Sequence, residues 1–445
     1  VNIGDIVRSD TMDLRGTTVA VVGAGLSGLF AAHELSRLGA TVRVFESSHR
    51  IGGRLFTDHF SADPARYVDF GAARIVPQTL PGELYRRLGI PVENFIMRNP
   101  DAMWIRQTGS VRTPVRLRTA HRDNEVWRQR AALPADSGEK FRSPHGMHWD
   151  APALADFRHA GIPVAETTES DISSVTEYLA SNLRELDRID NTYVKTHVLV
   201  RPVGGSQVLT DRLAQQLPDG SVSTGHSIVG AELARYGVVL RILTADGSPM
   251  RAAFDHAIFT PMPHQLERMN LPLPSDVVEV LRSAEPRPAV KVAALYPRRW
   301  WESDYGVYGG TSYPNTLFTR VWYPSDDLIS DSSGVLVGYA EGDSASTLSA
   351  MTPDERRTCF DRTISELHPR HGATAVEYRQ IVWSDVAGVG AGWVRWPGSD
   401  AELFQTLDMT DSRLILAGDW ADPQGAWQSS AITSASRAVG RVLNR

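Results

Sequence analysis

Short apolar runs separated by glycine-rich turns organise the chain. Residues 17–22, Thr-Thr-Val-Ala-Val-Val, are a short run rich in β-branched residues with strand character. They meet Gly23-Ala24-Gly25-Leu26-Ser27-Gly28 directly. Residues 29–38 then place apolar side chains at helical spacing until Gly39 stops them, and residues 41–46 read as a second strand. Pro202-Val203-Gly204-Gly205-Ser206-Gln207 opens a helix predicted to run through Leu217, followed by strands at 226–233, 238–243 and 257–261. The stretches 289–301 and 334–343 also contain strand-like apolar runs. Residues 413–417 form another strand, and the small and polar residues after Pro423 begin a helix reaching Leu443.

The first unit is a strand, a glycine turn, a helix and a strand within about 30 residues, the context in which G-x-G-x-x-G binds a dinucleotide. Each part has a physical task. Gly23 permits the tight turn, Gly25 lets backbone approach a pyrophosphate, and Gly28 lets the helix pack against the strand. The helix N-terminus, with Leu26 and Ser27, offers free N–H groups to phosphate. Glu46, followed by Ser47, ends the second strand, where a carboxylate accepts hydrogen bonds from a ribose hydroxyl and disfavours a 2′-phosphate. His49-Arg50-Ile51-Gly52-Gly53-Arg54 adds a second glycine pair and two arginines suited to pyrophosphate. A surface turn with solvated arginines is the alternative for this run.

Composition narrows the class. The 445 residues suggest two or three domains, and 42% hydrophobic with 22% charged content fits a globular protein with a large core. A net charge of −6 without a block of one sign argues against a nucleic-acid partner. The arginine-rich stretch 112–130 is interrupted by acids and apolar residues and reads as a solvated face or loop. No apolar run is long enough to span a membrane, and residues 1–15 lack the apolar core of a secretory signal, so a cytoplasmic protein is expected. Cys359 is the single cysteine, so no intrachain disulfide is possible. It follows a capping box of Thr352 and Glu355 with Pro353 in the first turn, and reads as a helix core residue rather than a nucleophile. No metal-ligand cluster is legible; His145 and His148 read as loop residues.

The run from Val19 to Arg54 resembles the FAD fingerprint of the flavin-dependent amine oxidases, in which the glycine motif is followed by Gly-Gly-Arg. The resemblance implies an α/β fold. A Rossmann-type FAD-binding domain would be assembled from three chain segments, 14–60, 201–285 and 405–445. An α+β substrate domain would take 61–112 and 286–404, and a mostly helical cap insertion 113–200, with one of its helices at 175–187. In this family a strand ends in an acid that binds the ribityl–phosphate part of FAD, and the next helix N-terminus meets the flavin's pyrimidine edge. Gly418-Asp419, Gln428 and Ser429 stand at those places, and Ile228 is the matching adenine contact. Family members with covalent flavin carry a cysteine in this C-terminal element. This chain has none there, so FAD is expected without a covalent link.

The same resemblance assigns the chemistry. Gly71-Ala72-Ala73-Arg74 is similar to the segment that passes the flavin ring in the L-amino-acid oxidase branch. An arginine in the place of Arg74 binds the substrate α-carboxylate there, a task suited to a planar guanidinium. Pairing with Asp69 or an FAD phosphate is the alternative. Lys291, in an apolar strand, matches a lysine that holds a water at flavin N5, against a solvated strand-edge lysine. Tyr339 matches a tyrosine that assists the carboxylate-binding arginine, against a core tyrosine. Glu341, two residues along the strand, shares its face. It implies a polar or basic substrate side chain, or else an internal Arg or Lys partner. Trp427 matches an aromatic residue beside the flavin, and Trp393 and Trp396 are further candidates for a cage around the amine. His145 or His148 would supply the histidine that some members draw from their helical domain. The implied partners are an amine or amino-acid substrate and O2, with a homodimer as a candidate assembly. The implied reaction oxidises the amine-bearing carbon of an L-amino acid to a 2-oxo acid, with ammonia and hydrogen peroxide. An amine or polyamine oxidase, a tailoring flavoenzyme acting on a larger amine or amide, and a non-enzymatic FAD-binding protein are the alternatives.

Overall fold

The computed structural model describes residues 13–117 except 78, 98, 100 and 109, then 140–142, 148–150, 199–328, 332–398 and 401–444. In chain order, the elements that position the site are β1 (Thr18–Val22), α1 (Leu26–Arg37), β2 (Thr41–Phe45), β3 (Val222–Ser223), β4 (His256–Phe259), β5 (Ala289–Tyr296), β6 (Gly310–Ser312), β7 (Arg320–Tyr323), β8 (Gly334–Glu341), β9 (Glu377–Val382), β10 (Leu414–Leu416) and α2 (Gln428–Leu443).

Five of these strands form a parallel sheet in the order β3-β2-β1-β4-β10. Its strands come from three separated stretches of chain. Both faces of β1 and β4 are buried, which explains why they read as continuous apolar runs rather than alternating ones. Helices α1 and α2 pack together on one face, where Leu29, Ala31, Ala32 and Leu35 meet Ile432, Ala435 and Val439 over Val19 and Val21. Helix α1 begins at Leu26, three residues earlier than its apolar period suggests, because the last half of the glycine motif is its first turn. The helix expected from Pro202 begins only at Val208. Gly204 and Gly205 hold φ of +85° and +91°, a left-handed turn that helix geometry excludes.

The second five-stranded sheet is antiparallel, in the order β6-β7-β8-β5-β9. Strand β5 is buried throughout, and its alternate residues serve two cores. Val290, Val292 and Ala294 face Trp300, Trp301, Phe318 and Phe360, whereas Ala289, Ala293 and Leu295 face Phe60, Val68 and Phe70. Lys291 lies on the second face. The capping box forms as read: Thr352 accepts from the Glu355 N–H, and Glu355 accepts from the Thr352 N–H, opening the helix Pro353–Leu367 that holds Cys359 half-buried. Of the arginine-rich stretch, Arg112 pairs with Glu366 and Arg116 with Asp101. Residues 118–130, His145 and the helix at 175–187 lie outside the described residues, as do the side chain of His148 and most of the cap 113–200. No helix among the described residues is long and apolar enough to cross a membrane.

Candidate active site

A cavity of about 1270 Å³ runs between the parallel sheet and the antiparallel sheet. Pockets for small ligands occupy roughly 300–1,000 Å³, so this one has room for a large cofactor and a substrate together. Among the described residues, its wall brings together every nominated site residue except Gly28, which lies beneath the turn.

The nucleotide end starts at the C-terminal edge of β1 and β2. Gly23 turns with φ +98°, and a Cβ there would stand 2.5 Å from Thr260 Oγ1. A Cβ on Gly28 would stand 2.0 Å from the Gly23 carbonyl oxygen. Gly25 differs: its backbone is extended, and a Cβ would meet nothing nearer than Gly53 Cα at 4.0 Å. Helix α1 has no side-chain cap on its first turn, and neither does α2, so two sets of unsatisfied N–H groups open on one cavity. Gln428 at the start of α2 accepts from the Tyr85 hydroxyl at 3.2 Å, while its buried Nε2 has no partner. An open cradle, two uncapped helix starts and an orphaned amide donor fit an anionic dinucleotide with a hydrogen-bonding ring edge.

Several nominated side chains hold protein partners. Glu46 accepts from the Ala24 N–H at 2.8 Å and from the N–H and hydroxyl of Ser48, each at 2.8 Å, which locks the turn around the cavity rim. Arg54 forms a two-pronged ion pair with Asp419, one arm at 2.9 Å, and also donates to the Gly392 carbonyl at 3.1 Å. The arginine expected at pyrophosphate and the acid expected at the ribityl chain therefore clamp each other. Arg50 donates to the Gly53 carbonyl at 2.8 Å and lies over the Phe56 ring. Ser47, Gly53, Ile228, Gly418 and Ser429 border the same space. A Cβ on Gly71 would stand 1.6 Å from the Arg54 carbonyl oxygen, so Gly71 brings its strand end against the Gly-Gly-Arg turn. Ala72 and Ala73 continue along the wall to Arg74.

The substrate end is a grid fixed by strand register. Arg320 on β7, Tyr339 on β8 and Lys291 on β5 are direct cross-strand neighbours on one face. Trp322, Val337 and Ala293 form the next row. Trp322 stacks on Tyr339 with ring centroids 5.2 Å apart and planes 17° apart. Lys291, 4% exposed, donates to the carbonyls of Asp69 at 2.9 Å and Gly71 at 2.8 Å, and lies 4.9 Å from the Trp322 ring centre. Burial pulls its pKa down to about 7; the Asp69 carboxylate opposes that and Arg74 adds to it. Arg74 sits between two aromatic faces, 6.0 Å from Trp322 and 5.9 Å from Trp427. Burial and the charge of Arg320 pull its pKa down to about 10, so it remains a cation at neutral pH.

Tyr339 and Glu341 both face the cavity, as strand period requires. Their partners lie within the protein. The Tyr339 hydroxyl donates to Glu341 Oε2 at 3.1 Å, and Glu341 Oε1 lies 3.3 Å from Arg320 Nη1. Glu341 thus has an internal arginine, the alternative to a basic substrate group. Burial, then the Glu341 charge, pushes the Tyr339 hydroxyl far above its ordinary range, so it acts only as a neutral donor. Trp393, half-buried, faces the cavity from a short strand, Trp393–Arg395. Trp396 also borders the cavity but is largely buried, and its Nε1 donates to the Trp420 carbonyl at 2.9 Å. Trp427 is 39% exposed and precedes α2. Cys359 is not on the cavity wall. Arg320 and Trp322 carried no signal in the chain's pattern, because β7 is four residues long and its register with β8 cannot be seen locally.

Residues 26–443 match the flavin containing amine oxidoreductases, and the chain belongs to that family. It is 27% identical over 480 residues to a flavin-dependent L-tryptophan oxidase of Lentzea aerocolonigenes, covering 95% of this chain and 97% of the relative. It is 24% identical over 458 residues to an L-amino-acid oxidase of Demansia vestigiata, covering 96% and 86%. Among solved structures, cyclohexylamine oxidase of Brevibacterium oxydans aligns with a TM-score of 0.72 at 17% identity, over 96% of this chain and 99% of that one. Putrescine oxidase bound to putrescine aligns at 0.71 and 19% identity, over 96% and 99%. At these identities the structural likeness is one of fold. The cofactor of this amine oxidoreductase is FAD, bound without a covalent link.

Proposed function

We propose that this protein oxidises a free L-amino acid at its α-carbon, giving an imino acid that water hydrolyses to a 2-oxo acid and ammonia, while O2 becomes hydrogen peroxide. One observation carries the reading: Arg74, charged at neutral pH, faces the cavity between Trp322 and Trp427. A monoamine offers that guanidinium nothing, whereas an α-carboxylate matches its donors. Gly23, Gly25 and Gly28, the starts of α1 and α2, Glu46 and the Arg54–Asp419 clamp would hold FAD, with Gln428 Nε2 free for its ring edge. When bound, the flavin supplies the two-electron acceptor and returns those electrons to O2.

The chain's own residues supply position. Arg74 anchors the carboxylate, which leaves the amine-bearing carbon a restricted set of orientations. Trp322, Tyr339 and Trp427 wall the amine with aromatic faces and exclude water. Lys291 fixes the Asp69 and Gly71 carbonyls, and with them the run that presents Arg74.

A peroxide-coupled screen of the twenty L-amino acids beside their decarboxylated amines tests this reading. Amino acids should turn over and the amines should not. Arg74→Met should lower kcat/KM for the best amino acid by roughly 10²–10³-fold, the loss expected when a charged partner is removed from a buried site. Equal activity on amines, or an Arg74→Met enzyme with wild-type kcat/KM, overturns it.

A further inference from the structure

Beside Arg74 stands a second guanidinium, and the two are unequally presented. Arg320 has a side chain 6% exposed, and it is covered by Glu341, whose side chain is 26% exposed. Glu341 Oε1 lies 3.3 Å from Arg320 Nη1, and its Oε2 accepts from the Tyr339 hydroxyl at 3.1 Å. Arg320 also lies 5.6 Å from the centre of the Tyr339 ring. All three line the cavity that holds Arg74. The carboxylate is thus the more accessible half of the pair, with the cation behind it.

We propose that Glu341 is a specificity-determining residue: it occupies the anion site of Arg320 and so restricts the cavity to substrates with one carboxylate, carried by Arg74. This inference rests on the amino-acid reading above and extends it to the substrate side chain. Two charges in a poorly solvated cavity repel strongly, so an aspartate- or glutamate-like side chain brought to this wall meets Glu341 before it meets Arg320. Neutral side chains meet no such repulsion. Removing the charge on Glu341 without changing its shape takes away the carboxylate that stands 3.3 Å from Arg320 Nη1, and a second substrate carboxylate can take the vacated place. Tyr339 keeps an acceptor in such a variant, because a glutamine amide retains its carbonyl oxygen.

The test uses the FAD-loaded enzyme and two unreactive acids of similar length, pentanoate with one carboxylate and glutarate with two. Binding is read as perturbation of the flavin absorbance at pH 7.5. Wild-type enzyme should bind glutarate at least tenfold more weakly than pentanoate; equal or tighter glutarate binding overturns the proposal without any variant being made. Glu341→Gln should shift the glutarate-to-pentanoate preference at least tenfold toward glutarate, and the ratio of kcat/KM for L-glutamate over L-leucine should move the same way. Adding Arg320→Gln to Glu341→Gln should abolish the gain. An unchanged preference in Glu341→Gln, or a gain that survives loss of Arg320, overturns it and leaves the pair a packing feature only. Because the dissociation constants do not depend on turnover, an enzyme that oxidises only amines would refute the amino-acid reading while the acid series still judges Glu341.

Discussion

Lys291 is an amine buried where its charge is poorly solvated, and its two carbonyl acceptors do not offset that. Charge-assisted bonds to those carbonyls favour the ammonium, but burial outweighs them. Burial sets its folded pKa at about 7, against an ordinary 10.5. The sign of the pH effect follows. Below pH 7 the lysine is protonated in both states, and the buried charge weighs on the folded state in full. Between 7 and 10.5 the unfolded chain holds a proton that the folded one has released, so stability rises with pH. Above 10.5 the effect vanishes. The range amounts to a few kcal/mol, on the order of 1.4 kcal/mol for each pH unit. Lys291→Met removes the titrating group. The thermal midpoint of the wild-type holoenzyme, measured relative to Lys291→Met, should therefore climb as pH rises from 7 to 10. Midpoint curves that stay parallel over that range would show that Lys291 titrates normally.

At the scale of elements, glycines in one motif serve different masters. Gly28 is required by the fold, since a Cβ would stand 2.0 Å from the Gly23 carbonyl where α1 presses on the turn after β1. Gly25 is extended with open space before it, so nothing in the protein requires a glycine there. Gly25→Ala should leave the midpoint of FAD-free protein within about 1 °C of wild type yet weaken FAD binding tenfold or more. Gly28→Ala should lower that midpoint by about 1–3 °C, as overpacking of about 1–3 kcal/mol implies for a chain of this length. A destabilised Gly25→Ala apoprotein would refute the division. The same contrast explains what could be read from the chain. The β1–α1–β2 unit is local, so glycine spacing and apolar period disclose it together. Lys291 was legible as a charged residue in an apolar strand, and Tyr339 and Arg74 through the family resemblance of the segments that carry them. Their arrangement was not legible. The row Arg320–Tyr339–Lys291 depends on β7, β8 and β5 being adjacent in one register, and Tyr339 lies 48 residues after Lys291 in the chain. Glu341 could be placed on the Tyr339 face by period alone, but its partner on β7 could not be named.

Across the whole molecule, the Arg54–Asp419 pair joins residues 365 apart in sequence, tying the loop after β2 to the end of β10 just ahead of α2. Both side chains border the cavity, Asp419 at 10% exposure and Arg54 at 25%. The two partners are not equivalent. Arg54→Met strands a carboxylate with little access to water. Asp419→Asn leaves an arginine that still reaches the Gly392 carbonyl and some solvent. Breaking a fully buried pair costs about 3–5 kcal/mol; with Arg54 a quarter exposed, roughly 2–3 kcal/mol is expected for Arg54→Met and less for Asp419→Asn. The double variant should be less destabilised than the sum of the singles, because it leaves no lone charge. Denaturant unfolding of the FAD-free proteins reads this cycle, and additive losses would show that the two side chains act independently. FAD affinity should fall in all three variants, since the clamp holds the Gly-Gly-Arg turn and the start of α2 against one cavity. Retention of wild-type affinity by Arg54→Met would mean that the two halves of the nucleotide site are held together by the sheet and the α1–α2 packing alone.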